Sequence, residues 1–273
     1  LSGEIEQVAV TRVNDNGFCD GDVMGVYIVD YQGSTPGTLQ NSGNRGDNVK
    51  HTFDEAAYKW NSAYDVYWKD DHTHIDIYGY YPFGSPEDVN AYAFEVKKDQ
   101  STSTTSNEMG GYEASDFLWG KTLKVSPTEK AVGITLNHLF SCAVVKVSAG
   151  NGFTTEGIEA ADVRVRLNQA VCQATVNLQD GSVSPGTQKE SVSFLRGKNN
   201  EFKALIIPQS IAMTDNLFTI TIDGQEFNLK KEFSFVGGKR HTFTITVKKT
   251  SNGINVDIGD WTDDGEDHGG VAE

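Results

Sequence analysis

The stretch "RHTFTITVKKTSNGINVDIGDW" (240–261) decides how the rest of the chain is read. Side chains on an extended strand point alternately to its two sides. Phe243, Ile245 and Val247 therefore share one face, and Ile254, Val256 and Ile258 share a face on a second segment. Asn252-Gly253 is a tight-turn dipeptide between them. The chain thus closes on an apolar β-hairpin, followed by an acidic tail.

The same pattern recurs upstream. In "LFTITIDGQEFNL" (217–229), Asp223-Gly224 makes a two-residue loop that sets Ile220 opposite Phe227 and Phe218 opposite Leu229. In "ATVNLQDGSVS" (174–184), Asp180-Gly181 pairs Leu178 with Val183. "EFKALIIPQS" (201–210) is a short strand stopped by Pro208. Further strands are expected at 8–13, 22–31, 74–83, 91–97, 117–125, 132–148 and 162–168, with 53–64 as a strand carrying a bulge. Residues 30–48 read as a long loop and 99–111 as a mobile low-complexity one. Helical periodicity is nearly absent.

About fourteen strands exceed the seven to nine of one typical sandwich. The expected architecture is all-β, with two antiparallel β-sandwich domains in tandem. The boundary is placed near "SPTEKAVG" (126–133), giving domains 1–130 and 131–273, the second with the acidic tail.

The formal net charge of −15 disfavours nucleic acid and anionic lipid as partners. No run reaches the roughly 18 apolar residues of a membrane span. The opening "LSGEIEQ" leads directly into strand-like residues with no export signal, as in a mature or trimmed chain. Cys19, Cys142 and Cys172 are an odd number without CxxC spacing, and they read as buried small hydrophobes.

Few residues mark chemistry. In "DDHTHID" (70–76), a strand would point His72, His74 and Asp76 to one side, a set able to hold zinc. Polar-out and apolar-in alternation with Ile75 and Ile77 explains the same residues, so no metal or other cofactor is assigned. The carboxylate-rich segments 15–22 and 260–270 lack EF-hand spacing. There is no GxSxG elbow. "FVGGKRHTF" (235–243) leads into a strand rather than a helix and reads as a tight turn. Trp60, Trp68 and Trp119 are candidates for sugar stacking, against the alternative of core packing.

Four stretches then fall into a familiar order. "IDIYGYYPF" (75–83), "SDFLWGK" (115–121), "LNHLFSCAVVKVS" (136–148) and "TFTITVKKTSNGINVDIGDW" (242–261) resemble elements of the fimbrillin-like proteins, the pilus subunits and related adhesins of the Bacteroidetes cell surface. The resemblance implies transthyretin-like sandwiches, no enzymatic activity, and export as a lipoprotein precursor to the outer membrane. It also implies partners that are other pilus subunits, or a host or bacterial surface protein or glycan. Assembly in such proteins uses donor-strand exchange after an arginine-directed protease removes an N-terminal strand. Arg12, within "VAVTRV" (8–13), is the matching cleavage candidate, and an edge-strand arginine facing solvent is the alternative. Ile254, Val256 and Ile258 are the donor-strand candidates; in an isolated monomer they are expected to complete their own sheet. A surface carbohydrate-binding module is the competing function, and a hydrolase using His72, His74 and Asp76 a third.

Overall fold

A computed structural model describes residues 7–9, 17–105, 109–250 and 253–258, with 7–9, 249–250 and 253–258 described by their backbone. The chain forms two compact units that interleave in sequence. The first comprises Leu1–Phe94, Asp116–Leu139 and Thr175–Ser184; the second comprises Glu95–Ser115, Phe140–Ala174 and Pro185–Glu273. The expected boundary after residue 130 falls inside the Asp116–Leu139 segment of the first unit.

The first unit is built on a six-stranded antiparallel sheet. Its order is Lys59–Ser62, Gly46–Asp54, Val23–Asp30, Ile75–Tyr81, Leu118–Val125 and Asn137–His138. Every residue of the central strand Ile75–Tyr81 is buried. One face packs Met24, Val26, Ile28, Ile75, Ile77 and Tyr81 into a core with Phe53, Trp60, Leu118 and Ile134. The other carries Tyr27 and Tyr80, with ring centroids 6.4 Å apart, and Phe117 beyond Tyr80 at 6.2 Å. Large rings of this kind bury much area per residue and are the main apolar contribution on that side.

In the second unit a five-stranded sheet has the order Leu195–Arg196, Glu201–Ile206, Ser141–Ala149, Arg240–Thr250 and Gly253–Ile258. A four-stranded sheet has the order Lys189–Ser193, Val163–Val171, Asn216–Ile222 and Gln225–Lys230. Phe218 of the four-stranded sheet meets Phe243 of the five-stranded one edge to face at 4.8 Å, which marks the sandwich interior. Ser141–Ala149 and Arg240–Thr250 run parallel, Val145 opposite Phe243 and Val147 opposite Ile245.

The hairpin around Asp223-Gly224 has the expected register, Phe218 opposite Leu229 and Ile220 opposite Phe227. Both turn residues have positive φ, 48° and 84°, as a type I′ turn requires. Three local readings are corrected. The closing hairpin pairs Thr250 with Gly253, so Gly253 belongs to the returning strand rather than to the turn expected at Asn252-Gly253. This register sets Val247 opposite Val256 and Ile245 opposite Ile258, matching β-branched residues across the strands. Around Asp180-Gly181 the Asn177 amide donates to Ser182, leaving a four-residue loop, and Leu178 does not pair with Val183. Leu178 is instead buried, its amide donating to Val89 and its carbonyl accepting from the Trp119 indole. Residues 53–64 are not one bulged strand but a hairpin, in which Asp54 accepts the Ala57 amide and Tyr58 takes φ 49°.

A short helix, Thr155–Ala160, was not expected. Thr154 caps it through a 3.0 Å bond from the Gly157 amide. Six residues are too few to display a helical period. The 99–111 loop is tied down on both sides of residues 106–108. Gln100 is fully buried, its side-chain amide donating to the Leu205 carbonyl at 2.9 Å and accepting from the Leu205 amide at 2.8 Å. Gly110 and Gly111 donate to the Thr104 and Thr102 hydroxyls.

Candidate functional site

The features that bear on function lie at the strand edges. Gln7–Ala9 pairs in parallel with Val132–Ile134, Gln7 opposite Val132 and Ala9 opposite Ile134. Val132 and Ile134 belong to the buried core of the first unit. An N-terminal strand thus occupies an edge whose side chains are core residues. The parallel pairing joins segments over a hundred residues apart and leaves no local pattern in the sequence. Arg12 lies outside the described residues. Gly253–Ile258, which carries Ile254, Val256 and Ile258, is the terminal strand of the five-stranded sheet and, among the described residues, pairs with Arg240–Thr250 alone.

The three tryptophan candidates have distinct settings. Trp60 is 3% exposed and lies in the core, its ring 4.8 Å from that of Phe18. Trp68 packs partly buried on the same core and donates its indole N–H to the Thr128 carbonyl at 3.1 Å. Trp119 donates to Leu178 at 2.8 Å, with the Lys121 ammonium 5.6 Å from its ring. The exposed rings nearby are tyrosines: Tyr58, Tyr64 and Tyr67, which flank or follow the edge strand Lys59–Ser62. Their signal in the sequence is a run of aromatics set among polar residues from 54 to 67.

His72, His74 and Asp76 do not share a strand face, because the strand begins at Ile75. Asp76 is buried and accepts the Lys124 amide at 2.8 Å, holding a bulge where Lys124 takes φ 56°. His74 packs against the Tyr31 ring, and His72 is exposed. Asp70, Asp71 and His72 bring ligand-type atoms within 4.8 Å of one another. The Asp70 carboxyl accepts the Thr73 hydroxyl and the amides of Thr73 and His72, and these bonds hold its pKa down to about 2. The group is thereby the organiser of its own turn.

The Arg45-Gly46-Asp47 segment leads into the sheet. Arg45 makes a two-pronged pair with Asp30 at 2.6 and 3.1 Å. Gly46 is buried at the start of a strand, and Asp47 accepts from Gly43 and Asn44.

Two of the stretches that carry the family resemblance touch. Asp116 of "SDFLWGK" is wholly buried, and its carboxylate lies 2.8 Å from Nδ1 of His138 of "LNHLF". Burial pushes the Asp116 carboxyl up, while the His138 hydrogen bond and charge pull it back. The pair pins the short strand Asn137–His138 to the start of Leu118–Val125. Its position gives it a structural task.

The fold and its motifs have counterparts. The chain is 24% identical over 261 residues to the "Putative fimbrium subunit Fim1C" of Bacteroides uniformis, covering 92% of this chain and 81% of that protein. Among solved structures, a "putative cell adhesion protein" from Bacteroides uniformis matches with a TM-score of 0.67 at 19% identity, covering 96% of this chain and 98% of the other. A second, from Bacteroides ovatus, matches with a TM-score of 0.66 at 14% identity, covering 95% and 96%. The family model described as fimbrillin-like matches residues 11–261. That match spans the six-stranded sheet, the Asp116–His138 pair and the closing hairpin together, and on it the chain belongs to the fimbrillin-like family.

Proposed function

We propose that this chain is a non-catalytic fimbrial subunit or surface adhesin that assembles by donor-strand exchange after cleavage at Arg12. The pairing of Gln7–Ala9 with Val132–Ile134 carries this reading. Cleavage at Arg12 would release that strand. Val132 and Ile134 would then lose their cover, and a row of backbone groups would lose its partners. An incoming strand restores both by β-augmentation. The terminal strand with Ile254, Val256 and Ile258 is the proposed donor, since among the described residues its backbone ladder is on one side only. Head-to-tail exchange of this kind does not close on itself and so yields filaments. The proposed location is the outer surface of the cell, reached as a lipoprotein precursor. No helix among the described residues is long and apolar enough to cross a membrane.

The test is limited digestion of the monomer with trypsin, followed by mass spectrometry of the new N-terminus and an unheated denaturing gel. Cleavage after Arg12 with a ladder of polymers, lost when residues 254–273 are deleted, is the expected result. An intact Arg12 with monomer alone overturns the exchange mechanism and leaves adhesion without polymerisation. The exposed Tyr58, Tyr64 and Tyr67 favour glycan binding as a second reading. Screening a glycan array with a triple Tyr→Ala variant beside the parent chain tests it.

A further inference from the structure

The four-stranded sheet of the second unit has two edges, and they differ. At Lys189–Ser193 the edge is covered: Ser193 donates to the Lys98 carbonyl and accepts from the Gln100 amide. At Gln225–Lys230 the strand shares a backbone ladder with Asn216–Ile222 alone among the described residues, and Gly253–Ile258 of the five-stranded sheet comes close to part of it. The register says which backbone groups are left over. Ile222 and Gln225 flank a two-residue turn, so they exchange hydrogen bonds. By alternation Phe227 and Leu229 also bond inward, and Glu226 and Asn228 present their N–H and C=O groups outward, up to the register shift between the Phe218–Leu229 and Asn216–Lys230 pairs. Six residues make this a full-length edge strand.

We propose that this edge pairs with the same edge of a second copy of the chain, antiparallel and centred on Asn228. In that register Glu226 of one copy lies opposite Lys230 of the other, and the pair occurs twice by symmetry. Phe227 lies opposite Leu229, continuing the layer in which both are already buried. Charged residues on an edge strand usually guard it against pairing. Here the signs oppose each other about the centre of the strand, so the guard is complementary to itself. Glu226 already accepts from Arg166 at 2.9 Å and is 54% exposed, which leaves its second oxygen for a partner's lysine. Such a contact is isologous and closes as a dimer. It differs from the donor-strand reading, which produces an open polymer; because the proposed donor Gly253–Ile258 lies close to this edge, the two are kept apart by using the uncleaved chain.

Sedimentation velocity over a concentration series tests it, using the uncleaved chain. The parent chain is expected to show a monomer–dimer equilibrium. Lys230→Glu and Glu226→Lys each place like charges opposite one another, and each is expected to raise the dissociation constant by roughly tenfold or more. Mixing the two variants restores both opposite-sign pairs and is expected to restore the dimer, which also shows that both variants are folded. Asn228→Pro removes an outward N–H together with the bond that Asn228 Oδ1 accepts from the Thr219 hydroxyl across the hairpin; it is expected to abolish the dimer, whereas Asn228→Ala, which loses only that side-chain bond, is expected to keep it. A parent chain that is monomeric throughout overturns the proposal. So does a dimer indifferent to the charge reversals, or a mixture that stays monomeric. A ladder after trypsin bears on the exchange mechanism alone.

Discussion

His138 and Asp116 form a hydrogen-bonded pair, 2.8 Å between Nδ1 and Oδ1, in which the carboxyl is completely buried and the imidazole is 46% exposed. One member is held in the interior and the other reaches water. Removing His138 strands a carboxylate in the core. His138→Ala is expected to cost about 1–3 kcal/mol at pH 7, the range for a buried polar group left without its partner. Water reaching the vacated site keeps the loss below that of a fully buried ion pair. Equilibrium urea denaturation checks this through the midpoint.

The same carboxyl sets a pH dependence whose sign is fixed. Burial raises its folded-state pKa above the ordinary value of 3.8. The fold therefore favours the neutral form. Its stabilising contribution is complete below 3.8 and is lost as pH rises through the raised folded value. Relative to Asp116→Asn, the parent chain is expected to lose stability over that acidic window and then to level off. A difference curve flat from pH 3 upward would refute this assignment.

Gly181 and Trp119 make a second contact open to test. Gly181 takes φ +77°, and a Cβ there would meet the indole ring at 2.5 Å. The ring cannot retreat without breaking the bond from its N–H to Leu178. Gly181→Ala combines left-handed strain with overpacking and is expected to destabilise by about 1–3 kcal/mol. Trp119→Phe keeps the packing and loses the bond, for about 1 kcal/mol. The order of the two thermal midpoints is the readout.

Gln100 fills a place in a backbone ladder. Its side chain bonds both the amide and the carbonyl of Leu205, and donates to Lys97 as well. Gln100→Ala leaves those groups unsatisfied in a buried setting and is expected to cost about 2–3 kcal/mol. The Leu205 amide should then exchange with deuterium markedly faster. Unchanged protection at Leu205 would show that another group closes the gap.

The cysteines differ in reactivity. Burial pushes the Cys172 thiol up to about 11, and the side chain is 1% exposed. Cys19 is exposed and Cys142 half-buried, so the expectation of three buried thiols holds for Cys172 alone. At pH 8 a maleimide should modify Cys19 quickly and Cys172 only after unfolding. Peptide mapping of a timed labelling reaction distinguishes the sites.

Local rules made part of this fold legible. The Asp223-Gly224 hairpin follows from a turn dipeptide and alternation on either side of it, and its register came through intact. Trp60 shows what alternation alone could have added. It stands between Lys59 and Asn61 in a two-faced strand, so a period of two already points it inward, away from any sugar. What sequence reading missed was non-local. The parallel pairings of Gln7–Ala9 with Val132–Ile134, and of Ser141–Ala149 with Arg240–Thr250, join segments roughly a hundred residues apart. Turn register also shifted where a side chain competed for the backbone, as when the Trp119 indole took the Leu178 carbonyl. The Asp116–His138 pair was visible as two separate motifs, and only folding brings them together.

The interleaving of the two units has a consequence for synthesis. A chain leaving the ribosome from its N-terminus cannot close the first unit when residue 139 appears, because Thr175–Ser184 is still to come. Until then Trp119 has neither the Leu178 carbonyl nor the Gly181 turn to rest on. The second unit in turn holds Glu95–Ser115, made long before most of its strands. Each unit therefore waits on segments of its own that are made later, and the nascent chain passes through a period with apolar strands uncovered. For such a chain, holding the unfinished intermediate soluble is as much a requirement of biogenesis as the stability of the finished fold.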